Sequence, residues 1–303
     1  KPSLRTKELP CVSGNNPPRA LSPGMPSPKD APVRKYEVVA MNADIEYNKD
    51  GDHDPFGIIF TLAQNEEAIR CKSMNPEPLI LRGNVGDCIE VTLHNKLDPI
   101  FHHGLIHGYP RVPVEAPFPP SLRISLHTQL LAYDVRGSDG ATVGFNPDQT
   151  ICPGETITYR WYVDAPVGPC NLWDMADIRN HRHHGAFGIF IAEPRGSVYL
   201  DPVTRCETNT GNQVIISNPL LGEFREFVLL MHDGVRLLDK NDNLIIDPEP
   251  LLIDPDEELV DFEDQGSRGF NYRSERFKNR LKDVNDISKV FSSRVHGDPS
   301  TPI

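Results

Sequence analysis

Two short stretches carry most of the constraint on how this chain folds. Pro153 to Val163 (PGETITYRWYV) alternates apolar and polar residues after a Pro-Gly turn, which is the period of a half-buried strand. Gly185 to Pro194 (GAFGIFIAEP) contains a short apolar strand, Ile189 to Ala192. Between them the chain carries Cys170, Trp173, Asp174 and Met175 and a loop crowded with His181, His183 and His184. A period of two does not suit an amphipathic helix, so this part of the chain is expected to be sheet.

Further strand signals lie upstream. Lys35 to Met41 (KYEVVAM) alternates, and Glu77 to Arg82 (EPLILR) is followed by the turn Gly83 to Asp87 and by Cys88 to Leu93 (CIEVTL). Arg123 to Leu131 (RISLHTQLL) reads as one more strand. With 29 prolines and 22 glycines, turns are frequent and long helices are not expected. Strands separated by turn signals, without intervening helical segments, point to an antiparallel all-β sandwich rather than a parallel α/β sheet. The 303 residues suffice for two domains.

A formal charge of -12 with no concentrated basic block excludes an ordinary nucleic-acid binder and suits metal cations or basic partners. No apolar run reaches the roughly 18 residues of a membrane span. The first 35 residues form a Pro-, Ser- and Gly-rich arm with no initiator Met and no hydrophobic signal core, as expected if a leader has been removed. Six widely spaced cysteines without a C-x-x-C pair favour disulfides over a zinc or redox site, with buried thiols as the alternative.

The strand and loop from Gly154 to Pro194, together with EPLILRGNVGDCIEVTLHNKL, resemble the cupredoxin domains of the multicopper oxidase family. Phe224 to Met231 and the FNYRSE element at Phe270 to Glu275 are similar to the start of a following domain in the large bacterial manganese-oxidase type. The resemblance implies an irregular arm over 1–35, a cupredoxin-like domain over 36–196, a linker hairpin over 197–223, and the incomplete start of a second such domain over 224–303. It also implies a secreted or cell-surface protein, partnered by further cupredoxin domains. The full-length enzyme would oxidise a metal ion such as Mn(II), or a small organic reductant, and reduce dioxygen at copper. A non-redox cupredoxin-like binding or scaffold module is the alternative.

Thiolate and imidazole suit copper, yet this chain has no His-Cys-His, and Trp173-Asp174-Met175 stands where the family carries its ligand triplet. By that resemblance His127 is the residue best placed to keep a ligand role, with His181, His183 and His184 as the other copper candidates. The favoured reading is that these imidazoles are exposed or hydrogen-bonded, because a three-copper cluster needs partners from another domain. A site of His127, Cys170, His181 and Met175 is the less favoured alternative, since the position of Cys170 suits a disulfide or core thiol. His102, His103 and His107 lie in a Pro- and Gly-rich insertion and are expected at the surface.

Asn48 to Asp54 spaces Asp50, Asp52 and Asp54 at every second position, the oxygen pattern of a calcium loop, although the acidic residue that would complete an EF-hand is missing. A solvated turn is the simpler reading. The acidic run from Asp254 to Asp264 is read as a solvated segment in preference to a metal-gathering surface.

Overall fold

The computed structural model describes residues 22–98, 121–141, 144–178, 180–235, 237–243, 245 and 267–274. The chain divides into two units, residues 1–43 with 56–228 and residues 44–55 with 229–303. The strands are β1 (Val33–Glu46), β2 (His53–Leu62), β3 (Leu79–Asn84), β4 (Cys88–Lys96), β5 (His127–Thr128), β6 (Ala132–Tyr133) and β7 (Thr156–Tyr162). They continue with β8 (Gly168–Trp173), β9 (Phe187–Glu193), β10 (Val198–Leu200), β11 (Gln213–Asn218), β12 (Gly222–Phe227), β13 (Met231–Val235) and β14 (Ser267–Phe270). One short helix, α1 (Glu66–Arg70), follows β2, and no helix among the described residues is long and apolar enough to cross a membrane.

The first unit is the expected all-β sandwich. One sheet runs β2-β1-β4-β7-β6 and the other β3-β9-β8-β5. Strand alternation explains how they close on one core, because successive side chains point to opposite faces. Val38, Ala40, Val91, Leu93, Tyr159 and Trp161 come inward from the first sheet, and Leu79, Leu81, Cys170, Leu172, Phe190 and Ala192 from the second. Tyr159 and Trp161 stack with centroids 6.3 Å apart. Each fully buried aliphatic or aromatic side chain stabilises the fold by about 1.5–3 kcal/mol.

Two of the pairings among the described residues are parallel. Strand β1 runs parallel to β4, and β3 parallel to β9. The turn after EPLILR therefore closes no hairpin. It carries the chain from β3 in one sheet to β4 in the other, held by Asp87, whose backbone N–H donates to Asn84 O and whose Oδ2 accepts from Asn84 N, each at 2.9 Å. The two diagnostic stretches likewise lie in opposite sheets, and Cys170 to Trp173 forms the end of β8, paired with β9.

RISLHTQLL is another departure. Only His127–Thr128 is strand, pairing with Trp173 and Leu172 of β8, while Ile124 makes an isolated bridge to Ile151. Side chains satisfy the backbone that a ladder would otherwise use: Arg123 N donates to Ser121 Oγ, Ser125 N to Asp174 Oδ1 and Leu126 N to Tyr159 Oη. Gly140 is pressed against this segment with φ +75°, and a Cβ there would stand 2.4 Å from Leu126 O. Gly140→Ala combines left-handed strain with a backbone clash, so a stability loss of about 1–3 kcal/mol is expected, read as a lower urea unfolding midpoint.

A three-stranded sheet, β10-β11-β12, is tied to β3 through side chains. Thr210 Oγ1 donates to Ile80 O at 2.6 Å, Tyr199 Oη to Asn84 Oδ1 at 2.5 Å, and Asn84 Nδ2 to Ser197 O at 2.8 Å. Arg82, wholly buried, reaches across to Glu226 and to Gly211 O. Residues 197–228 thus group with the first sandwich. Its tight turn lies at 219–221, where Asn218 Oδ1 accepts from Leu220 N and Leu221 N.

The second unit contains the 47–52 turn and the pair β13-β14. Phe224 to Met231, one apolar run in sequence, is divided between β12 and the first residue of β13.

Candidate functional site

The histidine-bearing loop, 174–186, joins β8 to β9 beside β5 and is organised by Asp174. Its Oδ1 accepts from Ser125 N at 2.8 Å and Ala176 N at 3.1 Å. Its Oδ2 accepts from Asp177 N at 2.9 Å and faces His181 Nδ1 at 3.0 Å. Both Asp174 and His181 are buried. His181 Nε2 lies 2.7 Å from the carbonyl oxygen of Ser121. With an acceptor facing each ring nitrogen, the imidazolium is the form this surrounding favours. Burial opposes that charge, but the hydrogen bond and charge of Asp174, the charge of Asp177 and the Ser121 carbonyl prevail and raise its pKa.

The other imidazoles are placed separately. His127 Nδ1 donates to Asp139 O at 2.6 Å and lies 3.3 Å from Asp139 Oδ1. Its ring meets Tyr133 edge-on at 6.1 Å, and burial together with the hydrogen bond to Asp139 pushes the Tyr133 hydroxyl up to about 12. His184 is buried, with its ring edge-on to Phe56 at 6.5 Å, whereas His183 is half-buried. A short 3-10 turn over Arg182–His184, ended by left-handed Gly185, fixes their directions. Arg182 lies over the Trp173 ring at 5.0 Å.

Among the described residues no three His, Cys, Asp or Glu side chains come together as a metal-binding group. With both ring nitrogens engaged by Asp174 and Ser121, His181 as it stands is a cohesive residue of the loop and is not turned toward a ligand. Cys170 is a core residue of β8 whose thiol is pushed up to about 11 by burial, the opposite of what a ligand thiolate needs. Cys71, Cys88, Cys170 and Cys206 are free thiols, and Cys152 Sγ accepts from Arg123 Nη1 at 3.1 Å. The disulfide expectation does not hold for these four. Cys11, the histidines at 102, 103 and 107, and the acidic run 254–264 lie outside the described residues.

Calcium is not supported at Asp50, Asp52 and Asp54. The turn is closed by Asn48, whose Oδ1 accepts from Asp50 N and Asp52 N and whose Nδ2 donates to Asp52 Oδ2 at 2.9 Å. Asp52 and Asp54 are buried in that hairpin.

The residues that sequence reasoning missed are Asp174 and Asp139, which orient His181 and His127. Asp174 stands in the sequence as one acid between Trp173 and Met175, and Asp139 lies 12 residues from the ring it holds.

No family model matches the sequence, and no curated protein matches it. Several solved copper proteins are similar in fold. A blue copper oxidase from Nitrosomonas europaea aligns over 80% of this chain and 54% of its own, at 14% identity and a TM-score of 0.40. A copper nitrite reductase from the same organism aligns over 54% and 42%, at 18% identity and a TM-score of 0.34. A multicopper oxidase aligns over 58% and 48%, at 18% identity and a TM-score of 0.37. The chain spans about half of the length of each of these proteins.

Proposed function

We propose that this chain is a structural, amino-terminal cupredoxin-like portion of an extracytoplasmic multicopper oxidase. The whole enzyme would couple one-electron oxidation of a metal ion or small reductant to the reduction of dioxygen to water, and Mn(II) is the ion the sequence resemblance suggests. Copper would be held by other parts of that protein and would supply the redox chemistry. The observation that supports a structural role is the buried Asp174–His181 pair. It occupies the loop where the family's ligand triplet would stand and uses both ring nitrogens for cohesion. Within the chain, Asp174 and His181 hold β5, β8 and the 174–186 loop in one arrangement, and His127 is oriented by Asp139.

Adding Cu(II) to the purified 303-residue chain is expected to give no intense thiolate-to-copper visible band and no oxidase activity. A strong band would overturn the structural reading and return Cys170 to the ligand set. The alternative, a non-redox cupredoxin-like scaffold, draws on the absence of a metal-binding group among the described residues. Mass and metal analysis of the native polypeptide separates the two: a longer, copper-loaded protein supports the oxidase reading, and a copper-free one supports the scaffold.

A further inference from the structure

Strand β12 is the edge of the three-stranded sheet, and its outer side pairs with no strand among the described residues. Five of its six residues are exposed, including Phe224 at 41% and Phe227 at 57%, and Leu220 and Leu221 at the preceding turn are exposed as well. An uncovered edge presents a row of backbone donors and acceptors that can template another strand. Nature usually blunts such edges with charges, and β12 carries Glu223, Arg225 and Glu226. Their order decides which partner fits.

We infer that β12 is a self-association edge, pairing antiparallel with β12 of a second copy in a register centred on Phe224. Two identical antiparallel strands related by a two-fold axis can match only in registers that keep outward-facing backbone groups opposite one another, and these step by two residues. Centring on Phe224 sets Glu223 opposite Arg225 on both sides of the axis. It also sets Phe224 against Phe224 and Leu221 against Phe227. The neighbouring registers fail by charge. One places Arg225 opposite Arg225, the other Glu223 opposite Glu223, and like charges directly opposite are destabilising.

Glu223 and Arg225 each already have a contact within their own chain, to which the register adds a second. Glu226, the half-buried member, is turned to Arg82 and lies opposite Gly222 in this register, where no side chain competes. Glu223 is held by Arg205 at 2.8 and 3.1 Å, and Arg225 lies over the Phe227 ring at 4.8 Å, all on exposed surface. Both carry charge to the edge. Two such short strands bury less than the ~1,200 Å² of a standard interface, so the dimer is weak and concentration-dependent.

Sedimentation equilibrium of the full chain tests this. The wild type is expected to move from the single chain mass to twice that mass as concentration rises. Arg225→Glu and Glu223→Arg each set like charges across the axis and are expected to stay monomeric. Mixed in equal amounts they restore both opposite-charge contacts, and dimers return as heterodimers. The double swap E223R/R225E, which reverses both partners, also dimerises. A monomeric wild type at its highest soluble concentration overturns the inference. So do single variants that dimerise like the wild type, or a mixture that stays monomeric while both variants keep native tryptophan fluorescence.

Discussion

Asp174→Ala is expected to lower the stability of the first unit by about 3–5 kcal/mol, because it strands a buried cation and several backbone donors at once. Ser125 N, Ala176 N and Asp177 N lose their acceptor, and the His181 ring loses its anion. The sign of the pH dependence follows from the raised pKa of His181. Its contribution is whole below the unfolded value of about 6.5 and is lost as pH rises through the higher folded value. In Asp174→Ala that alkaline loss disappears. Acid becomes the destabilising direction, since the buried ring must then take a proton without its partner. Urea midpoints followed by tryptophan fluorescence report on this unit alone, because both tryptophans, Trp161 and Trp173, belong to it. A change under about 1 kcal/mol, or an unchanged pH profile, would mean the pair is not what fixes the loop.

The two diagnostic stretches were legible as strands because each shows its period directly: PGETITYRWYV gives β7 and GIFIA lies within β9. Strand β2 was hidden, since HDPFGIIFTL opens with polar residues and carries Pro55 and Gly57, which demote a strand reading. RISLHTQLL failed in the other direction. Ile124 and Leu126 are buried, but so is the polar Ser125 between them, and side chains from distant residues take up the backbone groups of this segment. Parallel pairing of β1 with β4 and of β3 with β9 left no local trace, because it is set by which sheet each strand enters. The histidines were visible as residue types, whereas their chemistry depends on the acceptors each ring meets. Those acceptors, Ser121 O and Asp174 for His181 and Asp139 for His127, are known only once the chain is folded. Arg82 shows the same limit. In EPLILRGN it looks like the polar half of a half-exposed strand, but the three-stranded sheet covers it completely.

Arg82→Ala is expected to cost on the order of 3–5 kcal/mol and to loosen β10, β11 and β12 from the sandwich. Its Nη1 lies 2.5 Å from Glu226 Oε1, its Nη2 donates to Gly211 O at 3.0 Å, and its guanidinium sits 5.6 Å from the Tyr199 ring centre. Glu193, at the end of β9, shares this pocket of charge. Burial first, then the charge of Glu226 and a hydrogen bond to it, raise its pKa against the opposing pull of Arg82. One guanidinium thus faces two carboxyls. A raised carboxyl pKa gives stability that is present below the unfolded value of about 4.3 and is lost as pH rises through the folded value. Glu193→Gln keeps the hydrogen-bonding shape without the second negative charge, so its unfolding midpoint is expected to stay flat where that of the wild type declines. Amide exchange in β10–β12 reads the same event locally, slowing in Glu193→Gln on the alkaline side and accelerating in Arg82→Ala. Replacing Arg82 by Met together with Glu226 by Leu separates charge burial from packing. Apolar groups of similar volume need no counter-ion, so this pair is expected to recover most of the loss of Arg82→Ala. If it does not recover, and Glu193→Gln tracks the wild type at every pH, the three-stranded sheet is held by its apolar contacts and the Arg82 cluster is incidental to it.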